Sequence, residues 1–348
     1  MTQALRVGQQ LRMTNSTIES FVSSFFKQSS RYADEFSDEF AVTLGQVSVA
    51  IRANLRDRIG SLTKNSLIPA DSTSPSFSLE IWRTTNHIEL PDLVWARDYL
   101  ATDRVVAAEL TYPYRVAFDK SQGFIYVYDT IKAHGAIWVA SDDQISLNSF
   151  ITPFRMMFSW MADGFDAEIV HASGIAHEGH GAVINGPSGS GKSTLALLSA
   201  LNGLSMVADD VVLYDRGQMY AVYNYAKVDP RTSPLDISAY TTFQLEQTPI
   251  AKNILHLDNF GPRFVKKSPV SAVIFPIFAH INHFEKISPK IAINLLAPNS
   301  LRELMGGTPA NFKRLLTMVR DIPAYRVAVS TNNDKNLDSV RRIFAEVS

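Results

Sequence analysis

The stretch that most constrains this chain is Gly186-Pro187-Ser188-Gly189-Ser190-Gly191-Lys192-Ser193. It fills the four fixed positions of G-x-x-x-x-G-K-[ST]. Its flanks are also those the motif requires, with the apolar run Ala182-Val183-Ile184 before it and good helix formers from Thr194 to Leu201 after it. Glycines let the backbone fold so that several amides point at one focus, and a following helix N-terminus adds partial positive charge there. The product is a cradle for phosphate oxygens, which makes Gly186 to Thr194 the candidate nucleotide-binding residues. Lys192 is placed to bridge β- and γ-phosphates, and the Ser193 hydroxyl to bind Mg²⁺. The competing reading is a Gly-rich turn with an incidental Lys-Ser, which four matched positions in the right context disfavour.

A second feature narrows the chemistry. Gly203 ends the helical run, Leu204 to Ala208 reads as a short apolar strand, and Asp209-Asp210 stand at its end, 17 residues beyond Lys192. One helix, one turn and one strand fill that interval, so both carboxylates are expected near the bound phosphates. Two carboxylates there suit two tasks: accepting a proton from an attacking hydroxyl, and holding Mg²⁺. The competing reading is a pair that only ends a strand and starts a turn. The apolar continuation Val211 to Tyr214 argues against it.

His171-Ala172-Ser173-Gly174, the loop through Thr194, and Val207-Ala208-Asp209-Asp210-Val211 together resemble the kinase core of the HPr kinase/phosphorylase family. The resemblance covers about residues 168 to 215 and includes a histidine 21 residues before Lys192. It implies an α/β P-loop kinase core like the C-terminal domain of that family, related to phosphoenolpyruvate carboxykinase. It also implies ATP- and Mg²⁺-dependent phosphorylation of a hydroxyl, typically serine. Carried over by position, Lys192 and Ser193 take the phosphate and metal roles, Asp209 the proton-accepting role and Asp210 a metal-side role, while His171 lies near the transfer centre. The arginine- and glycine-rich signature of the true HPr kinases has no counterpart here, nor is their downstream glutamate evident, although Asp229 lies in that stretch. The first 165 residues do not resemble their regulatory domain. The expected activity is therefore a kinase acting on a serine of a peptide or protein, or on a small molecule. A non-catalytic ATP-binding module and an NTP-hydrolysing switch are the alternatives.

The rest of the chain supplies context. A strand-helix-strand grammar begins after Gly164, so residues 1–165 are expected to form an N-terminal, strand-rich α+β domain for acceptor recognition and 166–348 the kinase domain. Ile18, Phe21, Val22 and Phe25 have helical spacing. Ala41 to Ile51 alternates like one strand, and strand-like segments follow at 77–82, 105–110, 114–118, 124–128 and 136–140, suggesting an antiparallel meander. Ser149 to Ala162 reads as a helix. Lys and Arg number 33 against 34 Asp and Glu, a net charge of -1 that gives no field for nucleic acid or a membrane. There is no cysteine, and Met1 to Asn15 holds no apolar run, so a cytoplasmic protein without a leader is expected. Self-association is left open. His177-Glu178-Gly179-His180 spaces its histidines by three rather than the zincin four and reads as a hairpin loop. His280 and His283, and the cations Arg263, Lys266 and Lys267, read as structural.

Overall fold

The computed structural model describes residues 15–54, 63–70, 74–83, 106–109, 112–119, 124–139, 151–229, 235–245, 252–278, 284–303 and 308–348. His280 and His283 lie outside them. The chain divides into one unit of Met1–Glu39, Ile51–Leu55 and Ser78–Ile145, and a second of Phe40–Ala50, Arg56–Phe77 and Ser146–Ser348.

In the first unit, helix α1 (Asn15–Arg31) buries Ile18, Phe21, Val22 and Phe25, the four residues whose spacing marks the helix. Phe25 meets Trp82 edge to face with ring centroids 5.5 Å apart. The stretch expected as one strand is two, β1 (Asp38–Leu44) and β2 (Val47–Ala53), of which residues 40–50 are assigned to the second unit. Gly45 at φ +65° takes the first central position of a two-residue turn, where only glycine is at ease, and it splits the alternation into a hairpin. Next come β3 (Phe77–Arg83), β4 (Val106–Glu109), β5 (Tyr114–Asp119), β6 (Phe124–Asp129) and β7 (His134–Val139). From β4 to β7 the strands run antiparallel in chain order, as the turn signals predict. β3 departs from the meander by pairing parallel to β7. A parallel partner needs a long crossover, and three intervening strands provide it.

The second unit holds helix α2 (Arg155–Asp163), which begins later than the apolar run predicts because Pro153 and a left-handed Phe154 (φ 57°) interrupt it. Strands β8 (Glu168–Val170), β9 (Ala172–His177) and β10 (His180–Asn185) lead to helix α3 (Lys192–Leu201) and β11 (Ser205–Ala208). The β9–β10 turn has positive φ at both Glu178 (48°) and Gly179 (84°), the geometry of a tight hairpin. His180 Nδ1 there lies 3.1 Å from Ser271 Oγ, and no group of three metal-ligating side chains occurs among the described residues. Beyond β11 come β12 (Val212–Asp215), β13 (Gln218–Ala221), β14 (Tyr225–Val228), β15 (Thr241–Leu245), β16 (Lys252–His256), β17 (Lys267–Pro269), β18 (Ala272–Phe278) and β19 (Phe284–Ile287). Helices α4 (Pro289–Glu303) and α5 (Pro309–Asp321), strand β20 (Ala324–Val329) and helix α6 (Asn333–Val347) complete the unit.

The main sheet runs β11-β9-β10-β18-β20-β19, with β10, β18 and β20 parallel. Central parallel strands are covered on both faces, and side-chain alternation shows by what. Ala182 and Ile184 of β10 with Ile274 of β18 pack among α3 and α6 residues such as Leu195, Leu198, Val340 and Phe344. Val183, Val273 and Phe275 pack instead among α4 and α5 residues such as Leu296, Leu315 and Met318. The result is a helix–sheet–helix sandwich within a mixed α/β fold of several sheets. No helix among the described residues is long and apolar enough to cross a membrane.

Candidate functional site

The loop from Gly186 to Gly191 joins central strand β10 to α3. Gly189 (φ 81°) and Gly191 (φ 94°) occupy the left-handed region that the reversal requires. Gly186 is needed for space: a methyl group there would lie 2.7 Å from Ser190 Oγ. That hydroxyl oxygen is buried and has no hydrogen-bond partner among the described residues. Pro187 and Ser188 are exposed, whereas Lys192 is buried and folds back across its own loop. Its Nζ donates to the carbonyls of Gly186 at 2.6 Å and Pro187 at 3.1 Å. Ser193 and Thr194 lie half-buried on the first turn of α3.

Asp209 and Asp210 follow β11 and are turned apart. Val211 N–H donates to Asp209 O at 2.7 Å across a tight reversal, and Asp210 sits at φ 66°. That conformation is uncommon for any residue but glycine, and Asp tolerates it better than most. A turn is thus present at the pair, and each carboxylate also has its own set of neighbours.

Asp209 is 1% exposed. Its Oδ1 accepts from Ser193 Oγ and Ser173 Oγ, both at 2.7 Å, and its Oδ2 accepts from the backbone N–H of Lys227 at 3.0 Å. Buried carboxylates need such partners, and here three donors satisfy one. The Ser193 hydroxyl therefore meets Asp209, not the Asp210 with which the family resemblance groups it.

Asp210 belongs to a charged cluster. Its Oδ2 accepts from Arg155 Nη2 at 2.7 Å and Lys227 Nζ at 2.8 Å, while Oδ1 lies 3.3 Å from His171 Nδ1. Burial works to raise the Asp210 pKa, but Lys227, Arg155 and His171 outweigh it and hold the carboxyl well below the usual range. Burial likewise lowers the Lys227 pKa, with Asp210 opposing that shift. Thr152 Oγ1 accepts from Arg155 at 3.1 Å and from Lys227 at 3.5 Å. His171, on the bend between β8 and β9, has its carbonyl fixed by Asn185 Nδ2 at 2.8 Å. That contact ties it to the end of the strand that feeds the loop.

His171, Ser193, Asp209 and Asp210 thus fall into one connected patch, with Lys192 beside Ser193 at the start of α3. Arg155 and Lys227 join it without any motif to announce them, as does Ser173, which stands in the stretch that carries the family resemblance but has no role in it. Each comes from a different element, so only tertiary structure brings them in. Arg263, by contrast, donates to Ala200 O and Tyr240 Oη, both at 3.0 Å, and holds the end of α3.

No family model and no curated protein matches this chain. Among solved structures, the Hpr(Ser) kinase/phosphatase from Coxiella burnetii matches 51% of this chain and 99% of its own, at 16% identity and a TM-score of 0.26. The relationship is a distant structural one.

Proposed function

We propose that this chain is a kinase that uses ATP and Mg²⁺ to phosphorylate a hydroxyl group, on a peptide or protein serine or on a small molecule. The observation that carries this reading is the 2.7 Å bond from Ser193, on the first turn of α3, to the buried Asp209. A hydroxyl and a carboxylate, both hard oxygen donors, meet where the glycine-rich loop enters its helix, and such donors suit Mg²⁺. The unpartnered Ser190 Oγ fits the same purpose, since the loop holds polar capacity that its own fold does not use.

In this reading Ser193 and Asp209 would hold Mg²⁺, whose charge offsets that of the β- and γ-phosphates. Loop amides and the N-terminus of α3 bind phosphate oxygens. Lys192 exchanges the Gly186 and Pro187 carbonyls for those oxygens, a gain because a charge-assisted bond to phosphate is stronger than one to a neutral carbonyl. Asp209 has all its bonds inside the protein, so the proton acceptor is assigned to Asp210, whose side chain is 18% exposed and ionised. Its Oδ2 is engaged by two cations, and Oδ1 is the atom that takes the acceptor's proton, with His171 beside it. The new bond joins the acceptor oxygen to the γ-phosphorus as the bond to ADP breaks. Catalysis rests on positioning and charge, as in other phosphoryl transfers.

The test is γ-labelled ATP with serine, serine-containing peptides and polyols, beside a no-acceptor control. Label on an acceptor supports the kinase. Label released only as free phosphate overturns it in favour of a hydrolase, and tight ATP binding without turnover on any of these overturns it in favour of a binding module.

A further inference from the structure

Strand β11 breaks its own alternation just before it delivers Asp209. Met206 packs among α3 and α6 residues, but Val207 and Ala208 both pack on the opposite face, among those of α4 and α5. The pairing of β11 with β9 shifts register over the same residues, between Met206 and Ala208. An irregularity of this kind turns the side chains after it to the other face. Gly174 makes room for it, because a methyl group there would lie 3.2 Å from Val207 Cβ. Unbroken alternation would aim Asp209 at α4 and α5, whereas the shift aims it at Ser193 on the first turn of α3.

Ser173 stands on that same face. It lies two residues before Ile175, which packs with α3, and its hydroxyl donates to Asp209 Oδ1 at 2.7 Å. At 0% exposure it acts on the carboxylate and not on a ligand. Asp209 is thereby held by donors from three elements: Ser173 of β9, Ser193 of α3 and the backbone N–H of Lys227 in β14. The terminal torsion of an aspartate is broad, so such contacts set the plane of its carboxylate. In the kinase reading Ser193 is shared with the metal. Ser173 on Oδ1 and the Lys227 N–H on Oδ2 are the anchors independent of it.

We infer that Ser173 is a positioning residue of the metal site, whose buried hydroxyl fixes the Asp209 carboxylate in the orientation that Mg²⁺ needs beside Ser193. The inference rests on the kinase reading and deepens it, since it names a residue outside the loop motif that sets how tightly Mg²⁺ is held. Partners that orient a metal ligand from behind are commonly worth ten- to a hundred-fold in metal affinity.

The experiment titrates Mg²⁺ at fixed ATP on the full chain and reads ATP binding by calorimetry, beside ATP binding in EDTA and a metal-free unfolding curve. Wild type, Ser173→Ala, Ser173→Thr, Asp209→Asn and the double variant Ser173→Ala with Asp209→Asn are compared. Ser173→Ala should raise the Mg²⁺ concentration for half-saturation about ten- to a hundred-fold, with ATP binding in EDTA within about two-fold of wild type. Ser173→Thr keeps the hydroxyl on a strand that suits a branched side chain, and it should recover most of the loss. Because Ser173 acts through Asp209, Ser173→Ala should add less than about two-fold once Asp209→Asn is present. If Ser173→Ala does not fold, Ser173→Cys, which fills the space with a weak donor, is read in its place. Wild-type protein whose ATP binding ignores Mg²⁺ would remove the kinase reading and this inference with it. Mg²⁺-dependent binding by wild type with an unchanged Mg²⁺ titration in Ser173→Ala would overturn the positioning role alone. So would a loss of the same size in the wild-type and Asp209→Asn backgrounds, or a loss of stability with no change in the Mg²⁺ requirement.

Discussion

Gly186→Ala tests whether the loop is closed by the contact seen between its two ends. The φ of Gly186 lies outside the left-handed region, so only space opposes a methyl group. The added carbon would lie 2.7 Å from Ser190 Oγ and 3.2 Å from Ser190 Cβ, where ordinary contact begins near 3.4 Å. The hydroxyl must therefore retreat by roughly 0.7 Å and the Cβ by roughly 0.2 Å, and overpacking of this kind costs about 1–3 kcal/mol. Because the next neighbour is Pro276 Cδ at 3.9 Å, nearly all of that strain belongs to Ser190. Ser190→Gly removes both crowding atoms. Alone, it deletes a hydroxyl without a partner among the described residues and costs roughly 0.5–1 kcal/mol, mainly through backbone entropy. Combined with Gly186→Ala it should recover about 1–2 kcal/mol, far above the ~0.5 kcal/mol scatter of independent sites. Urea unfolding of the four proteins supplies the cycle, and ATP titration should follow the same order. Additive effects would refute the contact as what limits residue 186.

Three further outcomes follow from the same geometry. Asp209→Asn should raise the Mg²⁺ concentration needed for ATP binding, while Asp210→Asn should leave binding largely intact and slow transfer by roughly 10²–10⁴ in single-turnover kinetics; swapped phenotypes would exchange the two assignments. Glu168, 1% exposed, has its pKa raised by burial despite bonds from Asn311 and Arg314. Its stabilising share is thus complete below the ordinary value of 4.5 and is lost as pH rises through the higher folded value, and Glu168→Gln should flatten that part of the melting temperature–pH curve. Gly181→Ala would drive a methyl into the carbonyl of Pro269, which cannot swing aside, so thermal unfolding should report a loss of about 1–3 kcal/mol or more.

Local chemistry made part of this architecture readable in advance. Helical spacing of four apolar residues located α1, and the loop motif located the turn between β10 and α3, because both signals act over a few residues. Gly45 shows the limit at short range: an alternating run looks continuous until one residue's φ is known. Long-range pairing was less accessible, as the parallel β3–β7 contact shows, since nothing within β3 specifies the strand that will lie beside it. The site divides in the same way. Lys192, Ser193, Asp209 and Asp210 stand at motif positions, whereas Arg155 and Lys227 reach Asp210 from elements 55 residues before it and 17 after it. Ser173 was present in the stretch that prompted the family resemblance, yet its hydroxyl gained a role only when β9 folded against β11 and brought it to Asp209.

The central claim is that the glycine-rich loop and Asp209 bind a magnesium nucleotide, and calorimetric titration of ATP with and without Mg²⁺, in wild type and in Lys192→Ala, tests it most directly. One equivalent of ATP should bind the wild type in a Mg²⁺-dependent manner. Lys192→Ala, whose unfolding transition reports that it remains folded, should bind about ten- to a hundred-fold more weakly, because the cation that faces the β- and γ-phosphates is gone. Absence of binding to the wild type, or equal binding by both proteins whether or not Mg²⁺ is present, would contradict the account.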